Sequence, residues 1–377
     1  MRVLHVVSFI SPDGAFGGPI RVAEHQASAL RARGHEVTVL AGQRGYAPPL
    51  PSSDELRLFR ARQLLPTGTF AGIAAPRMLP AARREIRRSD VVHVHVARDL
   101  LTLPAALLAM QMGAPYVVQP HGMIDESDRR TADLLDRVAT RRVLRRAGRV
   151  LVFRDVERRS LETVVDGPLP TAMVRNAVPA VNEVPPLPAT AEVLFCARLH
   201  ERKRPVTFAR MARALLEEGV DASFVLVGPD EGEGAAVEAE VRAVGDRRRL
   251  RWEGPLDRGA VLERMGRSSV LVLPSFDEPY PISVLEAMSL GRPVVVTETN
   301  GLALEVADSG SGIVVPDDDL ESLVAAVRGL LAAPDRMAQM GERAQRATAD
   351  RFSLESVAAV LEDIYDDVIS AAAARAR

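Results

Sequence analysis

The sequence is poor in the features that mark specialised protein classes. It has one cysteine, Cys196, which allows no internal disulfide and no cysteine-based zinc site. An extracellular disulfide scaffold is therefore excluded, and a reducing, cytoplasmic setting is expected. No apolar run reaches the roughly 18 residues that a membrane-spanning helix needs. The opening stretch MRVLHVVSFI has the hydropathy of a signal peptide, but it carries His5 and Ser8 and runs into SPDGAFGGP without a small-residue cleavage site. It reads as a first strand. Low-complexity tracts are missing, as are repeats of about 20–50 residues. Neither G-x-G-x-x-G nor G-x-x-x-x-G-K-[ST] occurs, which sets aside a dinucleotide-dependent dehydrogenase and a P-loop kinase.

What is present suits a soluble α/β protein of two domains: 377 residues, 47% apolar and 26% charged. The net charge of −2 hides a division, with 26 basic against 17 acidic residues up to position 180 and 22 against 33 beyond it. Such asymmetry favours two separately folded halves. The basic half suits an anionic acceptor or a peripheral contact with an anionic membrane, while the whole is too acidic for general binding of nucleic acid. Arg137, Arg141 and Arg145 stand at i, i+4 spacing on a helical pattern, either as a solvated face or as a docking face.

Short β-branched runs alternate with amphipathic stretches: VLHVVSF, HEVTVL, VVHVHV, APYVVQ and RVLVF, then EVLFCA, SFVLVG, RLRWEG, SVLVLP, RPVVVTE and GIVVP. Continuous apolar strands separated by helices predict parallel sheets covered on both faces, so each half is a doubly wound α/β unit. Pro19 is placed to open a helix whose inward stripe is Ile20, Ala23, Ala27 and Leu30, closed by Gly34. The proline-rich stretch NAVPAVNEVPPLPATAEV predicts a stiff connector, and the closing helix should bury Val357, Val360, Leu361 and Ile364 before a fraying tail.

In open α/β sheets ligands collect at the carboxyl ends of strands, so the residues just past them are the first candidates. SPDGAFGGP supplies Gly14, Gly17 and Gly18. Gly17-Gly18 before a helix either lets amides approach an anion or sugar, or makes a tight turn. The stretch GPDEGEG, residues 228–234, is too acidic to hold a diphosphate. Past EVLFCA stand Arg198 and Lys203, a planar fork and a point charge able to grip a diphosphate unless both belong to a solvated turn. In SFDEPYPISVLEAMSLGRP, Glu278 lies in a loop and Glu286 on the helix that Pro281 starts and Gly291 ends, with Ile282, Leu285 and Met288 facing the core. Carboxylates accept bonds from sugar hydroxyls, and a helix start favours phosphate. His121, at a strand end before Gly122, reads as a site residue; His93 and His95 alternate with valine inside a strand and read as structural or cleft-lining. Asp317, Asp318 and Asp319 read as helix caps, and no metal site is expected.

Together these residues resemble the retaining family 4 glycosyltransferases of the GT-B fold. The resemblance rests on GGPIRVAEHQASALRARGHEVTVL, DVVHVHVARDL, APYVVQPHGMID, the R-L-x-x-x-K pair Arg198 and Lys203, the E-x7-E pair Glu278 and Glu286, and TNGLALEVADSGSGIVVP. It implies two Rossmann-like domains facing each other across a cleft. Residues 1–178 would bind acceptor, 179–192 would link, 193–352 would bind nucleotide-sugar, and 353–377 would return as a helix towards the first domain. It also implies catalytic roles for His121, Arg198, Lys203 and Glu278. Donor contacts would come from Gly17, Gly18, Arg198, Lys203, Glu278, Ile282, Ser283, Glu286, Asn300 and Gly301. Arg198 and Lys203 would hold the diphosphate, Glu286 the ribose and Glu278 the transferred sugar. The implied activity is metal-independent, retaining transfer from a UDP- or GDP-sugar to a glycan, lipid-linked or small-molecule hydroxyl, with no permanent cofactor. Alternatives are a sugar-nucleotide epimerase or hydrolase of the same fold, or a non-catalytic nucleotide-sugar-binding protein. Tyr280-Pro281 departs from the family's common Phe-Gly, and the proline removes one amide donor.

Overall fold

The computed structural model describes residues 1–11, 17–64, 70–127, 130–181 and 183–376. The glycine loop's Gly14 lies outside them. The chain divides into two compact units, one running to Ala177 and resuming at Leu354, the other spanning Val178–Ser353.

The first unit contains β1 (Arg2–Ile10), β2 (Glu36–Gln43), β3 (Leu56–Arg60), the short antiparallel pair β4 (Arg62–Gln63) and β5 (Ile73–Ala74), then β6 (Val91–Val94), β7 (Tyr116–Val118), β8 (Arg149–Val152) and β9 (Thr171–Met173). Seven of them form a parallel sheet in the order β3-β2-β1-β6-β7-β8-β9. The second unit contains β10 (Ala191–Cys196), β11 (Ala222–Val227), β12 (Leu250–Trp252), β13 (Val270–Leu273), β14 (Val294–Thr297) and β15 (Gly312–Val315), all parallel in the order β12-β11-β10-β13-β14-β15. Each sheet winds outward from its first strand and then reverses, between β1 and β6 and between β10 and β13. Such reversals are where doubly wound sheets leave a crevice at the strand ends.

The central strands β6, β13 and β14 are buried throughout, as strands covered on both faces must be. In the first unit Leu4, Val6, Val92, Val94, Val118 and Val150 lie in one apolar core. In the second, Phe208 packs on Phe195 and Phe224, with ring centroids 5.6 and 6.4 Å apart.

The helix Gly17–Ala32 buries Ile20, Ala23, Ala27 and Leu30 as their spacing predicts, but it starts two residues before Pro19. Pro19 thus occupies the first turn, where its missing N–H loses no helical bond. The closing helix, Leu354–Ala376, belongs to the first unit and buries Val357, Ala358, Leu361, Ile364, Tyr365 and Val368. Val360 is instead 43% exposed, and the helix continues through the alanine-rich tail. Val368 presses so closely on Gly148 that a Cβ there would collide with it. In the proline-rich segment, the carbonyl of Pro185 accepts from the buried guanidinium of Arg292 at 2.6 Å, and the carbonyl of Gly266 accepts from it at 2.7 Å. This stretch is thereby fastened to the second unit. Among the described residues no helix is long and apolar enough to cross a membrane.

Leu361 is fully buried. Truncating it in Leu361→Ala should destabilise the first unit by about 2–5 kcal/mol, the usual cost of a large-to-small change in a packed core, as read by equilibrium denaturation in urea.

Candidate functional site

The loops at the carboxyl ends of β10, β11, β13, β14 and β15 are stitched together, and they carry most of the expected donor residues. After β10, Leu199 N–H donates to Pro229 O at 2.8 Å, while Glu231 N–H donates back to Leu199 O at 3.1 Å. Gly228 has φ +145°, and a Cβ on it would strike the carbonyl of Ala197. That close approach holds the Arg198 backbone against the loop after β11. One 3₁₀ turn, Glu201–Lys203, follows: His200 Nδ1 accepts from Arg202 N–H at 3.2 Å, and Lys203 N–H donates to His200 O at 2.8 Å. The turn points Lys203 towards the loop after β13. There Phe276 N–H donates to Arg202 O at 2.8 Å and the Arg202 guanidinium donates to Asp277 O at 2.6 Å.

Lys203 Nζ is ion-paired with Glu278 Oε2, their side chains 15% and 11% exposed. Burial pushes the ammonium below its usual range, and the Glu278 carboxylate opposes this. Arg198 and Arg202 push it down further. Lys203 is also the only lysine in the sequence, in a chain that otherwise uses arginine for its basic groups. Arg198 is paired with Glu231 Oε2 and is more open, at 38%. The acidic loop whose charge argued against a diphosphate therefore supplies the counter-charge for Arg198.

Pro281 sits just outside the helix Ile282–Ser289 as its N-cap, in an extended conformation, so the helix begins one residue later than the sequence suggests. The first amides of a helix, here from Ile282 and Ser283 onward, have no partner within it and carry the positive end of its dipole. Ile282, Leu285 and Met288 are buried as expected, and Glu286 is only 2% exposed. Asn300 N–H donates to Thr297 O at 3.1 Å, and Gly301 N–H donates to Glu278 O at 2.7 Å. Both amides are thus committed to the loop itself. A Cβ on Gly301 would run into the carbonyl of Pro279, so glycine is required for this approach. Asp319 caps the helix Leu320–Leu331 through Ser322 N–H at 2.9 Å, Asp318 pairs with Arg204 at 2.8 Å, and Asp317 accepts from Thr299 at 3.1 Å.

In the first unit, Gly17 and Gly18 open a helix, and a Cβ on Gly18 would meet nothing within 4 Å. His121 follows β7 with φ +55°, a left-handed conformation that histidine tolerates better than most side chains. Its loop is clamped by the buried carboxylate of Glu157, which accepts from Gly122 N–H and Phe153 N–H, both at 2.7 Å. Burial raises the Glu157 carboxyl, and these two bonds oppose the rise. His93 is fully buried on β6, and His95, expected inside the strand, is fully buried just past its end; His5 is buried beside them on β1. Burial holds His5 and His121 down to about 3 and pushes His93 and His95 well below the usual imidazole range.

With this geometry in hand, the matches to known proteins are consistent. The family described as Glycosyl transferase 4-like domain matches residues 17–177, and Glycosyl transferases group 1 matches residues 184–347. The chain belongs to the family 4 glycosyltransferases of the GT-B fold. This glycosyltransferase is 29% identical to glycogen synthase of Mycobacterium tuberculosis over 97% of its own length and 94% of that protein. It is 32% identical to D-inositol 3-phosphate glycosyltransferase 2 of Catenulispora acidiphila, over 47% of its length and 43% of that relative. Among solved structures it resembles Anabaena HepE in complex with UDP-glucose, with a TM-score of 0.72, 17% identity and coverage of 97% and 100%.

The four neutral histidines set an acid limit on stability. The unfolded chain takes up their protons below about pH 6.5 while the native state does not, so stability is full above that pH and falls as pH drops. Asp99, raised by burial to about 6, acts in the opposite sense, because the native state protonates it before the unfolded chain does. Urea unfolding between pH 6.5 and 4.5 should lose about 1.4 kcal/mol per pH unit for each neutral histidine, offset in part by Asp99 and by Glu157, whose carboxyl burial also raises. A flat profile would contradict neutral burial.

Proposed function

We propose that this glycosyltransferase moves a hexosyl group from a nucleotide diphosphate-sugar to an acceptor hydroxyl with retention of configuration. The observation that carries the reading is the pair of cations, Arg198 and the sole lysine Lys203, next to the strand reversal of the second sheet. Each is held by a carboxylate that a diphosphate can replace or share. As the sugar–oxygen bond breaks, charge builds on the departing diphosphate. The guanidinium, the ammonium and the amide end of the helix Ile282–Ser289 are fixed beforehand to stabilise it, with no metal ion required. Glu286 would take the ribose hydroxyls and Glu278 the transferred sugar, with Asn300 and Gly301 shaping the loop behind them. The first unit would supply His121 and the acceptor side of the reaction, with Gly17 and Gly18 as further contacts. The acceptor oxygen attacks the anomeric carbon on the face the diphosphate leaves, and its proton passes to the departing phosphate oxygen. The Anabaena structure holds UDP-glucose, which favours a UDP-sugar over a GDP-sugar here.

Arg198→Ala should lower turnover by about 10²–10³-fold, the usual cost of removing one donor to transition-state charge, while the wild type keeps its rate in excess chelator. Because Lys203 is the only lysine, acylation followed by peptide mass spectrometry reads one side chain, and UDP-glucose should protect it. Wild-type turnover in folded Arg198→Ala would overturn the assignment. Donor consumed without acceptor would instead indicate the hydrolase or epimerase reading.

One surface favours a second partner, and we infer that it is an anionic membrane. The helical segment from Arg130 to Arg146 contains a π turn at Asp136–Thr140, which offsets the i, i+4 spacing of Arg137, Arg141 and Arg145. Arg137 pairs with Asp133, and Arg145 turns back to the carbonyls of Val165 and Asp166. Leu134 and Val138 are nevertheless 60% and 59% exposed, beside exposed Arg137 and Arg142. Apolar side chains flanked by cations suit the interface of an acidic lipid surface. The protein should co-sediment with phosphatidylglycerol vesicles at low salt and be released by Leu134→Glu with Val138→Glu. A supernatant wild type would refute the contact.

A further inference from the structure

Four of the seven histidines in the sequence join in one line, in which His5, His93 and His95 are buried and the half-buried His121 forms the end. His5 and His93 are register partners on β1 and β6, and His95 follows just past the end of β6, its N–H donating to Val6 O at 2.9 Å. His5 Nδ1 and His95 Nε2 are 2.9 Å apart, and His95 Nδ1 and His121 Nε2 are 2.8 Å apart. The ring centroids of these two pairs lie 5.2 and 5.0 Å apart. That is the spacing of rings joined edge to edge by a hydrogen bond, well beyond the ~3.5–4 Å of rings in face contact. At the far end stands Tyr365 of the closing helix, fully buried, with its hydroxyl 2.7 Å from His93 Nδ1 and 3.5 Å from His5 Nε2.

The ligand atoms of His5, His93 and His95 lie within 4.8 Å of one another, close enough to raise the question of a metal ion. The His93 and His95 rings, however, are stacked at 4.4 Å with planes 14° apart. Their lone pairs lie in those planes and run side by side rather than towards one point. The group is built for hydrogen bonding instead.

A neutral imidazole has one N–H and one lone pair, so the state of each ring dictates the next. The phenol is the stronger acid and imidazole the stronger base, so Tyr365 donates to the nearer nitrogen, His93 Nδ1. His5 then points Nε2–H at the Tyr365 oxygen and leaves Nδ1 as an acceptor. His95 donates Nε2–H to it, and His121 in turn donates Nε2–H to His95 Nδ1. We propose that Tyr365, His5 and His95 act as positioning residues that lock His121 as the Nε2–H tautomer, so that its Nδ1 accepts a hydrogen bond from a substrate hydroxyl. Burial, which keeps all four rings neutral, supports this reading. The role of Nδ1 rests on the proposed transfer reaction; the tautomer lock does not.

The test uses the full chain labelled with ¹⁵N-histidine, without donor, in long-range ¹H–¹⁵N spectra at neutral pH. Wild type should show His121 as a single Nε2–H tautomer, and Tyr365→Phe and His95→Gln should each convert it to a mixture. In transfer assays Tyr365→Phe should lower kcat about tenfold with KM unchanged. The proposal is overturned if wild-type His121 is already a mixture, an imidazolium or the Nδ1–H form, or if both folded variants keep one tautomer. Displacement of the His5 and His95 signals by added Zn²⁺ would also overturn it, in favour of metal ligation. A tautomer change with no effect on kcat would refute the positioning role. An absence of any transfer activity, with the tautomers as stated, would count against the transfer reading and not against the lock.

Discussion

A parallel sheet whose winding reverses cannot close the gap at its reversal with a crossover helix, because the connections on either side leave in opposite directions. Both units obey this constraint, and their chemistry gathers where it acts. In the second unit the loops after β10 and β13 flank the reversal, carrying Arg198 and Lys203 on one side and Glu278 and the helix Ile282–Ser289 on the other. In the first, β1 and β6 meet there, and their register sets His5 beside His93. Everything built on these strands inherits the same placement: short loops, held by backbone hydrogen bonds, at the carboxyl ends of rigid elements.

The two units treat charge in contrasting ways. The second keeps its site ionic, and a buried ammonium such as Lys203 survives only because Glu278 faces it; alone it would lose its proton or disrupt the fold. Arg198 remains more open beside Glu231, where solvent weakens the pair and a stronger anion can compete. The first unit removes charge instead, burying His5, His93, His95 and Tyr365 and half-burying His121 in one chain of neutral donors and acceptors. One arrangement keeps paired charges at the strand ends; the other joins neutral rings by hydrogen bonds.

Much of this was readable from residue order. Every long apolar run became a strand, and the stripe Ile20, Ala23, Ala27 and Leu30 became the buried face of a helix. Four strands were missed: β4 and β5 are a two-residue pair, and β3 and β9 are short sheet edges, β3 interrupted by arginines, so none forms the continuous run that marks a central strand. Val360 was misplaced because a closely spaced cluster of aliphatic residues does not say which of them faces the core. In the site, Arg198, Lys203, Glu278 and Glu286 stood out by type and by position after strands. Glu231 did not, since an acidic loop gives no sign of which cation it will meet. A sole lysine in an arginine-rich chain was a composition signal that could have drawn attention to Lys203 without any motif.

Sequence alone determined the class of fold, the order of elements and the identity of the cationic and acidic groups, because periodicity and strand-end position are local properties of the chain. Tertiary structure decided which groups became partners. It joined Arg198 to Glu231, closed Gly301 onto Pro279, and carried Tyr365 across 272 positions of sequence to His93. These pairings depend on sheet register and on which face a helix covers. Long-range packing sets both, and no short window of residues contains it.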